Sequence, residues 1–140
     1  DRVDEVKETI RIIDYKSGSG LSIFNSIESL FDMDLKERPK AIMQVCLYSW
    51  MYGLEAPGKK IQPGIYYMRS LFTDAFDSGV YQRIDRGRSE QLSEFASVSS
   101  SFEDELRKCL DNIFDCQVPF TQTSTGNACL YCPFTGICGK

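Results

Sequence analysis

Two hydrophobic periods alternate along this chain. Residues 9–16 read Thr-Ile-Arg-Ile-Ile-Asp-Tyr-Lys. On a strand, Ile10, Ile12, Asp14 and Lys16 share one face, and Thr9, Arg11, Ile13 and Tyr15 the other. With residues 1–6 before it, this segment predicts a hairpin whose second strand ends at the turn-forming run Ser17-Gly18-Ser19-Gly20. Residues 21–38 predict a short strand and a helical turn around Ile27 to Phe31. A helix is predicted from Pro39, with Met43, Leu47, Trp50 and Leu54 as its apolar stripe and Pro57-Gly58 as its stop. Ile65 to Phe72 is nearly continuous in apolar and aromatic residues, which predicts a strand buried on both faces. Ser100 with Glu103 reads as a capping box, and Phe102, Leu106, Leu110 and Ile113 as a second helical stripe. From Pro119 the chain becomes rich in Thr, Ser and Gly, then cysteine. The order strand, strand, helix, strand, helix, tail predicts one mixed α/β domain.

Composition narrows the chemistry. The 140 residues contain six cysteines and no histidine. Without histidine, a Ser-His or Cys-His nucleophile and a histidine-ligated metal are excluded within these residues. The formal charge of −4 is unusual for a free-standing nucleic-acid binder, whose affinity comes largely from neutralising phosphates. Residues 74–98 are polar and mixed; their basic cluster Arg83, Arg86 and Arg88 could contact phosphate, but Asp85 and Glu90 dilute it and it reads as a solvated loop. No apolar run is long enough to span a membrane. Asp1 is not an initiator methionine, and the chain reads as a piece of something longer.

The chemistry concentrates on carboxylates and one lysine. Asp14 and Lys16, two apart on a strand, point the same way, and Asp1 lies at the distance expected of the neighbouring hairpin strand. Carboxylates bind Mg²⁺ readily, and such an ion polarises a phosphate and acidifies a bound water. A lysine beside them can orient that water and neutralise developing charge. Taken alone, Asp-x-Lys on a strand is more often a solvated edge. Here, however, both charges continue an apolar stripe instead of alternating with it.

Asp1-Arg2-Val3-Asp4, followed by Ile12-Ile13-Asp14-Tyr15-Lys16-Ser17-Gly18, resembles the core of the PD-(D/E)XK nuclease superfamily, in its RecB-like branch. Gln44-Val45-Cys46-Leu47-Tyr48 is similar to the Q-x-x-x-Y helix motif of that branch. The resemblance implies a restriction-endonuclease-like mixed central sheet flanked by helices, N-terminally truncated, with a nuclease core over 1–118 and a cysteine-rich tail over 119–140. It implies Asp1, Asp14 and the Tyr15 backbone carbonyl as ligands of Mg²⁺ or Mn²⁺, Lys16 as the catalytic lysine, and Gln44 and Tyr48 on the DNA side. An acidic or histidine residue on a preceding helix would lie before Asp1, so this piece is expected to be inactive alone.

Cys129-Leu130-Tyr131-Cys132 with Cys138 gives C-x₂-C-x₅-C, a spacing that suits ligation better than disulfides. Zinc completed by Cys116 is one reading. The resemblance implies another, a [4Fe–4S] cluster held by Cys129, Cys132 and Cys138 with a fourth cysteine outside this chain. Cys46 and Cys109 sit in helical stripes and read as small buried hydrophobes.

Together these readings predict the carboxy-terminal part of a metal-dependent DNA exonuclease, a helicase–nuclease subunit in double-strand-break repair. The expected partners are DNA and a helicase subunit or domain, in a bacterial, cytoplasmic and nucleoid-associated setting. The alternatives are a non-catalytic DNA-binding or scaffold subunit that keeps the fold, and a zinc-stabilised interaction module.

Overall fold

The computed structural model describes residues 1–32, 35, 37–74, 76–119, 121–123, 129–130 and 132–139. Its first element is the expected hairpin, β1 (Arg2–Val6) and β2 (Thr9–Lys16), paired from Arg2↔Ile13 to Val6↔Thr9. The two residues between the strands, Lys7 and Glu8, have φ of 49° and 66°. A two-residue hairpin turn asks for this left-handed backbone, which Asn-Gly supplies far more cheaply. Asp4 compensates on the strand itself. It receives Arg11 Nε at 2.7 Å and Arg11 Nη2 at 2.9 Å, across the register position that pairs Asp4 with Arg11. This Arg11 hydrogen bond holds the Asp4 carboxyl below its ordinary pKa.

After the Gly/Ser loop come β3 (Ile23–Phe24), α1 (Ile27–Phe31) and α2 (Lys40–Glu55), all close to their predicted places. The buried face of α2 differs from the predicted stripe. Ile42, Val45, Cys46 and Ser49 are fully enclosed, whereas Met43, Leu47 and Trp50 pack at the margin and Leu54 is 64% exposed. Ile42, Val45, Cys46 and Ser49 form the inward face of the helix, and Met43, Leu47 and Trp50 close its flanks. Ser49 satisfies its hydroxyl by donating to the Val45 carbonyl at 2.8 Å. Burial pushes the Cys46 thiol up to about 12, as befits a small hydrophobe.

The next strand also shifts. β4 runs Lys60–Tyr67 and pairs in parallel with β2 over its whole length, from Thr9↔Lys60 to Lys16↔Tyr67. It begins earlier and ends sooner than the apolar run 65–72, and Phe72 is 91% exposed. Pro63 had masked the start. Ile65 N–H, two residues on, points away from β2 to the Ser78 carbonyl at 2.9 Å. The N–H that Pro63 lacks therefore falls on the side outside the β2 ladder.

The stretch predicted as loop contains β5 (Tyr81–Asp85) and β6 (Arg88–Gln91), an antiparallel hairpin turned at Gly87, whose φ is 81°. Together with β3 they form a second sheet, ordered β3-β5-β6, beside the first, ordered β1-β2-β4. A single Gly64↔Gly79 bridge joins the two. A β-carbon on Gly64 would meet Ile13 Cδ1 at 2.8 Å, so glycine is what lets Ile13 pack there. The mixed sheet structure flanked by helices is a restriction-endonuclease-like α/β fold, divided into two small sheets.

A 3₁₀ turn (Phe95–Ser97) leads into α3 (Ser99–Phe114). The predicted capping box does not form, because the N-cap is Val98 and no side chain caps the end. Glu103 is drawn elsewhere, accepting from Arg107 Nη2 at 2.7 Å and from Trp50 Nε1 at 3.4 Å. Phe102 is wholly buried between Phe31 and Phe95, but Leu110 and Ile113 are 44% and 55% exposed. Only the first turns of α3 pack on the core. The last helix, α4, is Thr135–Cys138.

Each left-handed non-glycine residue costs about 1–2 kcal/mol. Replacing Lys7-Glu8 by Asn-Gly should therefore stabilise the protein by about 1 kcal/mol, read from the urea midpoint at unchanged slope.

Candidate active site

Asp14 lies on the face of β2 that carries Ile10 and Ile12 into the core, and it has no exposed surface. An ionised carboxylate there requires compensation. Neither Asp14 oxygen accepts a directed hydrogen bond. The compensating charge is the Lys16 ammonium, 2.6 Å from Asp14 Oδ2, on a side chain one-third exposed. This contact is Coulombic. The directed bond of the same ammonium goes to Gln44 Oε1 on α2, at 2.8 Å. Gln44 in turn donates through Nε2 to the Tyr48 hydroxyl at 2.6 Å. One relay thus joins Asp14, Lys16, Gln44 and Tyr48. Its β2 members lie two residues apart on a strand face, and its α2 members four apart, one turn along a helix face.

Asp1 approaches from the other side. The hairpin register, which pairs Arg2 with Ile13, continues to Asp1 opposite Asp14. Asp1 Oδ1 accepts the Tyr15 backbone N–H at 3.3 Å. A strand residue sends its N–H and carbonyl to the same side, so the Tyr15 carbonyl also leaves β2 toward Asp1. Asp1, Asp14 and that carbonyl form a hard, oxygen-only donor set. The Lys16 ammonium against Asp14 is a cation already standing beside it. Such a set fits a divalent ion that keeps several of its waters. Among the described residues, no three His, Cys, Asp or Glu side chains converge as a ready-made metal cage.

Two cavities flank the relay. One of about 290 Å³ is lined by Asp1, Tyr48 and Glu55 among others. The other, about 280 Å³, lies at the foot of α2 and includes Lys16 and Tyr67. Sequence reasoning missed Tyr67, a core residue whose hydroxyl donates to the Leu21 carbonyl at 2.7 Å. Burial, together with the nearby Asp14 charge, raises its pKa. Its only signal in the sequence was its place at the end of an apolar strand, which suggested packing alone.

The cysteine tail is not assembled into a site. Cys129, Cys132 and Cys138 are free thiols, the first two half-buried and the third exposed. Cys132 N–H bonds the Cys129 carbonyl at 3.2 Å, which gives the local turn expected of C-x₂-C. Tyr131 and residues 124–128 lie outside the described residues. Among the described residues these thiols do not gather at one point. Cys116, the alternative zinc ligand, is exposed and accepts from its neighbour Gln117.

The family model of the PD-(D/E)XK nuclease superfamily matches residues 1–139, and the chain belongs to that superfamily. No curated protein and no solved structure matches it. No helix among the described residues is long and apolar enough to cross a membrane.

The buried pair should be visible in stability. Lys16→Met strands the Asp14 charge and should destabilise by roughly 1–3 kcal/mol. Asp14→Asn added to it should recover most of that loss. Equal destabilisation of the single and double variants in a denaturant cycle would refute the coupling.

Proposed function

We propose that this chain is the carboxy-terminal part of a Mg²⁺- or Mn²⁺-dependent deoxyribonuclease, an exonuclease working with a helicase in double-strand-break repair. The observation that carries the nuclease site is the Asp14–Lys16–Gln44–Tyr48 relay at the sheet end, with Asp1 across the hairpin. Asp1, Asp14 and the Tyr15 carbonyl would hold the ion. When bound, it supplies polarisation of the scissile phosphate and a water acidified for attack.

The remaining work falls to the chain. Lys16, held by Gln44, presents its ammonium at the edge of Asp14, where it can orient the attacking water and offset charge growing on the phosphate. Tyr48 fixes the Gln44 amide, so that the carboxamide oxygen faces the lysine and its nitrogen faces the phenol. Burial around Asp14 excludes bulk water and strengthens each of these contacts. No covalent intermediate is required. The exonuclease activity, the helicase and the repair role rest on the resemblance carried by the RecB-like motifs Asp14-Tyr15-Lys16 and Gln44-x-x-x-Tyr48. The net charge of −4 suits a domain whose complex supplies much of the DNA affinity.

In the same reading residues 1–118 are the nuclease core and 119–140 a ligand segment for a [4Fe–4S] cluster. The x₂/x₅ cysteine spacing supports it, and a fourth thiolate must complete the set.

In the full-length protein, Asp14→Ala and Lys16→Ala should each reduce Mg²⁺-dependent DNA cleavage by about a hundredfold or more, and Gln44→Ala by less. Cleavage at the wild-type rate in either of the first two would remove the catalytic assignment and favour a non-catalytic scaffold. For the tail, anaerobically purified full-length protein should be brown and lose its visible absorbance in Cys132→Ser. A colourless protein with stoichiometric zinc would instead support a zinc module.

A further inference from the structure

The cavity at the foot of α2 has a chemistry of its own. Its lining brings together Lys16, Arg38 and Lys40, with Ser17 and Ser19 from the Gly/Ser loop and Tyr67 beneath. None of its described lining residues is acidic, in a chain that carries four more negative charges than positive ones. Lys40 is exposed and forms no ion pair with a described residue, and the Ser17 and Ser19 hydroxyls hydrogen-bond to no other described group. The cavity is walled by cations and open hydroxyl donors, which is what a phosphate diester recognises.

The loop is also held in shape. Tyr67 pins it through the bond to the Leu21 carbonyl at 2.7 Å. A β-carbon on Gly20 would lie 2.6 Å from the Tyr67 hydroxyl oxygen, so only glycine allows the loop to come this close. A volume of about 280 Å³ has room for a phosphate and its sugar and lies at the small end for a pocket that encloses a whole ligand. The cavity also shares a wall with the candidate active site. Lys16 lines it while its ammonium touches Asp14 at 2.6 Å.

We propose that this cavity is a phosphate subsite that seats the backbone phosphate next to the scissile one, on the same DNA strand. This rests on the nuclease reading, because a strand with one phosphate at Asp14 carries its neighbour past Lys16 into the cavity. Lys40 and Arg38 take the charge, and Ser17 and Ser19 donate to the non-bridging oxygens. The subsite sets the register of the strand and reads no base. Binding there is therefore independent of sequence and sensitive to salt.

The experiment uses the purified full-length protein with a 5′-phosphorylated thymidine dinucleotide and with a DNA substrate. The dinucleotide should shift the backbone amide resonances of Ser17, Gly18 and Ser19. Arg38→Gln with Lys40→Gln should weaken its binding by about five- to tenfold and flatten the logarithmic salt dependence by about one to two units. The double variant should raise KM for DNA more than it lowers kcat, while Lys108→Gln on the solvent face of α3 leaves both unchanged. Unmoved loop amides, or a dissociation constant and KM that do not respond to the double variant, would overturn the subsite. The two readings separate cleanly. Lys40-dependent dinucleotide binding without DNA cleavage sinks the nuclease assignment alone. Asp14-dependent cleavage that ignores Lys40 sinks the subsite alone.

Discussion

The organising constraint is a carboxylate with nowhere to go. Asp14 occupies a position that the β2 alternation reserves for an apolar side chain, and it is completely enclosed there. A leucine at that point would complete the stripe begun by Ile10 and Ile12. A carboxylate instead demands a cation, and the strand supplies one two residues later on the same face. The lysine then needs direction, which α2 provides through Gln44, and Gln44 needs its own orientation, which Tyr48 provides. Each member is explained by the one before it. Cutting the series at Lys16 leaves a bare buried charge, whereas removing Asp14 leaves a lysine with room to reach solvent.

The scaffold around Asp14 keeps it in that predicament. β2 is paired on both edges, with β1 antiparallel and β4 parallel, so the strand cannot rotate to expose the acid. α2 lies over the same face, with Ile42, Val45, Cys46 and Ser49 buried and Leu54 left exposed, and from it Gln44 reaches Lys16. The same logic reaches the hairpin. The left-handed Lys7-Glu8 turn is held by the paired strands and by the Asp4–Arg11 contact, which together fix the register placing Asp1 across from Asp14.

Much of this was legible in the residues. Period-two alternation located β2, and Pro39 and Pro57-Gly58 bracketed α2. Asp-x-Lys and Gln-x-x-x-Tyr each place two side chains on one face by spacing, and the resemblance to the nuclease superfamily is what brought the two faces together. What escaped followed from causes that spacing does not carry. β6 is Arg-Ser-Glu-Gln, entirely exposed, and its strand state comes from pairing with β5, with no apolar face to announce it. The start of β4 was hidden by Pro63, acceptable only because its missing N–H falls outside the β2 ladder. The Ser100–Glu103 box was a sound local signal overridden by tertiary partners, since Glu103 reaches Trp50 on α2 as well as Arg107.

The two cavities beside the relay differ in charge: Asp1, Arg2 and Glu55 line the one on the Tyr48 side, and Lys16, Arg38 and Lys40 the one on the loop side. In the proposed reading, a phosphodiester strand passing from one to the other would meet carboxylates first and cations next. Lys16 touches Asp14 while lining the basic cavity. In the proposed nuclease reading, Asp1, Asp14 and the Tyr15 carbonyl would hold a divalent ion, whose charge would add to the compensation that Lys16 gives Asp14. Lys16, bonded to Gln44 as well, is the one side chain that ties the buried carboxylate to both the helix face and the basic cavity.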